Sequence, residues 1–264
     1  MRHRLVLLIF ALSMSPTTVG VAQQMAPTPP APTAPSFVSR SLWRTSFSKL
    51  DSGDPRFAWI ARVNADVDVV DYVRGRIKFW GQYEGVLGME RRMLDLNHEN
   101  FVVETSATLR VRTSELSAAF HQVSRHLSDR QLDGVVAWNT ATIRAAHVLT
   151  ARGTRYWGHL DFSKVLQHSA VDYRWIGTLE FNLEHPWTQR TTFIAAANGS
   201  LMWIRPGPSS RSRQCGARGE AGILFGGDHG GMEFYLAYET RSDAYPPSQR
   251  HADWLEVGFK LIGR

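Results

Sequence analysis

The stretch Tyr173-Arg-Trp-Ile-Gly-Thr-Leu-Glu-Phe-Asn-Leu-Glu184 constrains the fold more than any other part of the chain. In extended backbone, Tyr173, Trp175, Leu179, Phe181 and Leu183 share one face, and Arg174, Thr178, Glu180, Asn182 and Glu184 share the other. Strand side chains alternate faces with a period of two, so an apolar stripe backed by a charged one is a two-faced strand. The same pattern recurs from Phe57 to the end of the chain.

Alternation and turn residues place strands near 42–49, 57–65, 76–90, 101–112, 115–126, 134–148, 155–166, 172–184, 191–204, 214–226, 231–240 and 253–262. The joins alternate in length. Thr113-Ser114, Ala151 to Thr154, His185 to Gln189 and Gly227 to Gly230 are short. Arg91 to Asn100, Leu127 to Asp133, Gln167 to Val171, Arg205 to Arg213 and Arg241 to Ala252 are longer or more irregular. Outer-membrane barrels have short periplasmic turns and longer outer loops, with an even strand number. Counting back from the last strand requires an upward strand at 42–49 with Asp51-Ser-Gly-Asp-Pro55 as its loop. The expected fold is therefore all-β: one antiparallel up-and-down transmembrane barrel of about twelve strands. The weakest join is Asp66 to Gly75, which leaves ten or fourteen open. A soluble β-sandwich or lipocalin-like barrel also alternates, with apolar residues inward. Trp43, Trp59, Trp80, Trp138, Trp157, Trp175, Trp203 and Trp254 favour the membrane, because tryptophan suits the lipid interface. The ending Phe259-Lys-Leu-Ile-Gly-Arg264 lacks the C-terminal aromatic common in such barrels.

The N-terminus supports export. Met-Arg-His-Arg precedes the apolar run Leu5 to Leu12 and small residues up to Ala22, a signal peptide over 1–22. That run is too short to cross a bilayer core, which needs about 20 residues. A proline-rich leader is expected over 23–40 and the barrel over 41–264, placing the protein in the outer membrane of a Gram-negative-type bacterium. Membrane lipids, lipopolysaccharide and the barrel assembly machinery are the expected partners. The formal charge is +6, but basic and acidic residues interleave without a basic patch, so nucleic acid is not an expected partner. Cys215 is the only cysteine, which excludes an intramolecular disulfide and CxxC sites. The scattered histidines show neither HxH nor HExxH spacing, so neither metal nor cofactor is expected. Gly226-Gly-Asp-His-Gly-Gly231 has no lysine and reads as a hairpin turn rather than a phosphate loop.

Two sets of residues carry possible function. The predicted lumen face mixes signs: Glu104, Arg110, Arg112, His121, Arg174, Glu180, Glu184, Arg218, Glu220, Glu233, Glu239, Glu256 and Lys260. These fill the interior with ion-pair networks or line a narrow charged channel, and filling is the preferred reading. The second set lies in Phe120-His-Gln-Val-Ser-Arg-His-Leu-Ser-Asp129. Ser124 and His126 share the outward face there, with a nucleophile-to-base spacing, and Asn139 on the next strand is placed to orient the imidazole.

That constellation resembles outer-membrane phospholipase A over about twenty residues. The phospholipase family carries His-Gln-Ser-Asn-Gly, with the base two residues before the nucleophile; here Val123 intervenes after His121-Gln122, and only the reversed pair keeps the parity. A broader resemblance is to a family of uncharacterised bacterial outer-membrane barrels, a domain of unknown function. It rests on Leu50-Asp-Ser-Gly-Asp-Pro-Arg-Phe57, Gly85-Val-Leu-Gly88, Phe120 to Asp129, Met232 to Tyr238 and Trp254 to Leu261. It implies a location and a fold, not a reaction. The resulting expectation is a narrow pore or structural envelope protein rather than an enzyme. A rim lipid hydrolase of phospholipase or lipid A deacylase type is one alternative. A soluble periplasmic barrel binding an apolar ligand is the other.

Overall fold

The computed structural model describes residues 33–127, 136–205, 211, 213–245 and 250–263. The expected signal peptide lies outside them, as does most of the proline-rich leader. Twelve strands follow in order: β1 (Ser36–Asp51), β2 (Trp59–Tyr72), β3 (Gly75–Gly88), β4 (Asp95–Val111), β5 (Ser114–His126), β6 (Val136–Ala151), β7 (Thr154–Ser169), β8 (Tyr173–Pro186), β9 (Thr191–Ile204), β10 (Arg213–Gly227), β11 (Gly230–Tyr245) and β12 (Arg250–Gly263). Each pairs antiparallel with its chain neighbours, and β1 pairs with β12, closing the barrel. Closure removes every free sheet edge, so backbone donors and acceptors are met within the wall, as a lipid surrounding demands.

All twelve expected strands form, and most run longer than alternation alone suggested. The doubtful join at Asp66 to Gly75 is not an extra strand. β2 continues to Tyr72, absorbs one residue in a register shift between Asp68 and Val70, and turns through Val73-Arg74. β1 begins at Ser36, inside what read as leader.

The joins sort the barrel into two rims. At the turn rim, β4–β5 and β6–β7 close through Arg112-Thr113 and Arg152-Gly153. Arg152 and Gly153 both take positive φ (50° and 76°), as a tight hairpin whose twist matches its strands requires. Longer connections gather at the opposite, loop rim. At the closing seam, a Cβ on Gly258 would lie 2.4 Å from that of Ser48, so only glycine permits the β12–β1 approach seen there.

The faces are the reverse of a soluble barrel's. Leu179 is 59% and Phe181 47% exposed on the outside, whereas Glu180 between them is 3% exposed inside. Ile143, Leu160, Phe162, Leu236 and Val257 are likewise exposed on the outer wall. Buried inward are Asp68, Arg76, Lys78, Glu84, Glu104, Arg144, Glu239 and Glu256. A soluble barrel with an apolar ligand cavity is excluded by this arrangement.

The tryptophans require a correction. Trp43, Trp59, Trp175 and Trp203 stand on the outer wall, but Trp80, Trp138, Trp157 and Trp254 are buried in the lumen. The reason is size. A twelve-stranded wall encloses more space than short side chains can fill, so indoles and guanidinium groups reach across it.

Candidate functional site

The lumen is the chemically dense region. On β2 and β3, alternation sends Arg62, Asn64, Asp66 and Asp68 inward opposite Arg76, Lys78, Gln82 and Glu84. Near the turn rim, Arg76 pairs with Asp68 (3.2 Å) and Glu115 (2.7 Å), Lys78 with Asp66 (3.1 Å), and Arg110 with Asp71 (2.7 Å). Arg40 joins Asp66 and Asp68 from β1.

A larger network crosses the interior. Glu84 accepts hydrogen bonds from Arg62 (2.9 Å), Arg241 (2.7 Å) and Asn100 (2.6 Å). Arg62 also donates to Glu256 (2.7 Å), which accepts further bonds from Ser48 (2.6 Å), Tyr235 and Arg218. Arg218 donates to Glu220 (2.6 Å), and Lys260 bridges Glu220 and Glu233. On the opposite wall, Arg144 donates to Glu104 (2.8 Å) and Asp161 (2.7 Å), while His121 lies 3.3 Å from Glu104. Pairing of this kind offsets the cost of burying these ions, since an uncompensated buried charge costs several kcal/mol.

Among the described residues, the loop-side end of the lumen is packed. β11 breaks register between Arg241 and Tyr245, and residues 241–244 are all buried. Asp243, at φ 48°, accepts from Arg211 (2.8 Å) and Tyr173 through its carboxylate, and its carbonyl accepts from Arg125 (2.9 Å). These partners come from β5, β8 and the β9–β10 connection, so the end of β11 is tied to three other parts of the wall. Leu50, Phe57, Ile60, Val86, Ala244 and Trp254 pack together on one side. A second apolar cluster, centred on Trp80, Val123, Trp138, Tyr173 and Met202, packs on the other.

Of the residues expected to face the lumen, Glu104, Glu180, Arg218, Glu220, Glu233, Glu239, Glu256 and Lys260 are buried inside, and Arg110 and His121 are partly buried with lumen partners. Glu184 is half-buried near the turn rim. Arg112 and Arg174 are placed differently. Arg112 lies beyond the end of β4, exposed in the hairpin at φ 58°. Arg174 is exposed where β8 shifts register between Tyr173 and Trp175. Sequence reasoning missed Arg62, Glu84, Arg144, Asp161 and Arg241, although the inward parity of β2, β3 and β6 was there to be read.

Ser124 and His126 do meet, with Oγ 2.8 Å from Nε2 on the exposed outer face near the loop rim. Phe101 lies edge-on to the imidazole at 5.6 Å. Asn139 donates instead to Gln167 on β7 (3.1 Å), so it does not orient the histidine as expected. Among the described residues, no group of three or more His, Cys, Asp or Glu side chains is placed to hold a metal.

No family model and no curated protein sequence matches the chain. The chain is similar in architecture to solved barrels. Against KdgM porin the TM-score is 0.45 at 8% identity, covering 83% of this chain and 98% of the porin. For OmpT of Vibrio cholerae the TM-score is 0.42 at 11% identity, with 84% and 97% covered. For the β domain of the Bordetella autotransporter Brka it is 0.43 at 11%, with 85% and 99% covered. At these identities and scores the likenesses carry no function across, and the resemblance to phospholipase A gains no support.

Proposed function

We propose that the chain is an outer-membrane barrel with a filled lumen, acting as a structural envelope protein rather than an open pore. The observation that carries this reading is the inverted wall: exposed aliphatic and aromatic side chains outside, paired ions inside. Apolar surface of that extent is unfavourable in water and favourable against lipid tails, at roughly 25 cal/mol per Å2. The packed loop-side mouth and the cross-lumen ion pairs support filling over conduction.

The turn rim supports an orientation. Arg74, Arg112, Arg152 and Arg190 are exposed in four separate turns. An exposed apolar residue lies within three positions of each in the chain: Val73, Val111, Leu149 and Trp187. A cation next to an apolar anchor is the pattern of a lipid headgroup boundary. With this rim towards the periplasm, the four arginines meet inner-leaflet phosphates.

Fractionation tests the reading. The full chain expressed with its own N-terminus belongs in the outer membrane and migrates differently on gels before and after heating. Recovery in the soluble periplasm would sink it. In planar bilayers the purified protein gives no steady ion conductance; a stable open level would replace the filled-lumen reading with a pore.

A further inference from the structure

One carboxylate in the lumen stands outside the ion-pair networks. Glu180 is 3% exposed and, among the described residues, makes no ion pair and one hydrogen bond, from Asn182 Nδ2 at 2.8 Å. It borders a cavity between β1–β3 and β8–β10. Asn64 and Gln82 face this cavity from one wall and Asn182 and Asn198 from the other, with Trp80 alongside. The side chains of Asn64, Gln82 and Asn198 hydrogen-bond to no described residue. Asn182 Oδ1 is also buried without a partner. Buried polar groups are almost always satisfied, yet on this one cavity the buried Glu180, Gln82 and Asn182 and the half-buried Asn64 and Asn198 all have spare capacity.

The chemistry of the lining selects the ligand. Four amides each offer donors and an acceptor, and the Glu180 carboxyl group adds acceptor oxygens. Hydroxyl groups, which both donate and accept, match that set. Arg44, Arg218 and Lys260 also line the cavity, so its field does not favour a metal cation. The room open to water centres is about 60 Å3. At roughly 10–15 Å3 per position it holds on the order of four to six waters, about the heavy-atom count of a three-carbon polyol.

The geometry points to a lumen site for a small neutral polyol of glycerol size, held by Glu180 and the surrounding amides. Room of this size favours a three-carbon polyol over a hexose. The proposal rests on the barrel's inward polar face but not on its cellular location, so fractionation and binding fail independently.

Saturation-transfer NMR on the full chain folded in deuterated detergent, with glycerol and glucose as probes, tests this. Glycerol gives a signal and glucose does not. Glu180→Gln keeps the shape, replaces an acceptor oxygen with a donor and weakens glycerol about tenfold, the scale of losing one hydrogen bond. Ala196→Phe, which fills the cavity from β9, abolishes the signal while heat-modifiable migration persists. The proposal is overturned by an absent glycerol signal in the parent chain, which means water alone occupies the space. A signal undiminished in both variants, an equal glucose signal, or displacement of glycerol by potassium chloride would also overturn it.

Discussion

Arg144 shows how much a single lumen side chain carries. It is buried and donates to two carboxylates, Asp161 on the neighbouring β7 and Glu104 on β4, two strands away. Arg144→Met keeps the apolar stem and leaves both acids without their shared guanidinium, with His121 beside Glu104 and His159 beside Asp161. Breaking a buried pair from one side costs about 3 kcal/mol or more, so urea unfolding in lipid vesicles shifts to markedly lower denaturant. Ser124→Ala removes a hydroxyl from the exposed outer face and stays within about 0.5 kcal/mol of the parent. The same variant addresses chemistry: reconstituted parent and Ser124→Ala protein release no fatty acid from phospholipid or lipid A. Release by the parent that Ser124→Ala abolishes would restore the hydrolase reading. The lumen carboxylates expected from parity lie inward wherever the strand stays regular. Arg112 and Arg174 depart because a hairpin and a register shift intervene, and alternation alone locates neither.

At the scale of the strand, β11 is the informative element. Its first part alternates cleanly from Glu233 to Glu239, and that much was legible. Its last part, Arg241 to Ala244, is buried at every position, a pattern no two-faced strand has. The sequence Arg-Ser-Asp-Ala reads as a polar loop, because its inward course is set by distant partners: Arg125, Tyr173 and Arg211 converging on Asp243. Tertiary contacts of this kind have no local signature. The inward tryptophans were misread for a related reason. Tryptophan suits a lipid interface and an oversized lumen equally well, and only the strand count and register decide between them. Asp243→Ala removes the carboxylate that anchors Tyr173 and Arg211. Its expected effect is to loosen the mouth, seen as transient openings in planar bilayers where the parent shows none. A variant as silent as the parent would show that the apolar clusters alone seal this end.

For the whole molecule, the strand order, the short and long joins and the single closed wall followed from period-two alternation together with turn chemistry. Which face points outward did not, since an amphipathic strand reads the same in either orientation; the exposed Leu179 and Phe181 supply that answer. The turn rim of the barrel also carries exposed cations. Arg74, Arg112, Arg152 and Arg190 stand exposed at the turn rim, and none makes an ion pair with a described residue. Basic residues at a membrane surface gain about 1 kcal/mol each from anionic lipid, an attraction that salt screens over about 10 Å at 0.1 M. The barrel is therefore expected to be more stable to urea in phosphatidylcholine vesicles doped with phosphatidylglycerol than in phosphatidylcholine alone. The advantage shrinks as salt rises. Replacing all four arginines with glutamine removes it and leaves stability in the neutral vesicles nearly unchanged, because these side chains hold nothing else in place. If the glutamine variant keeps the preference for anionic vesicles, the rim is a solvated collar and the orientation drawn from it has no support.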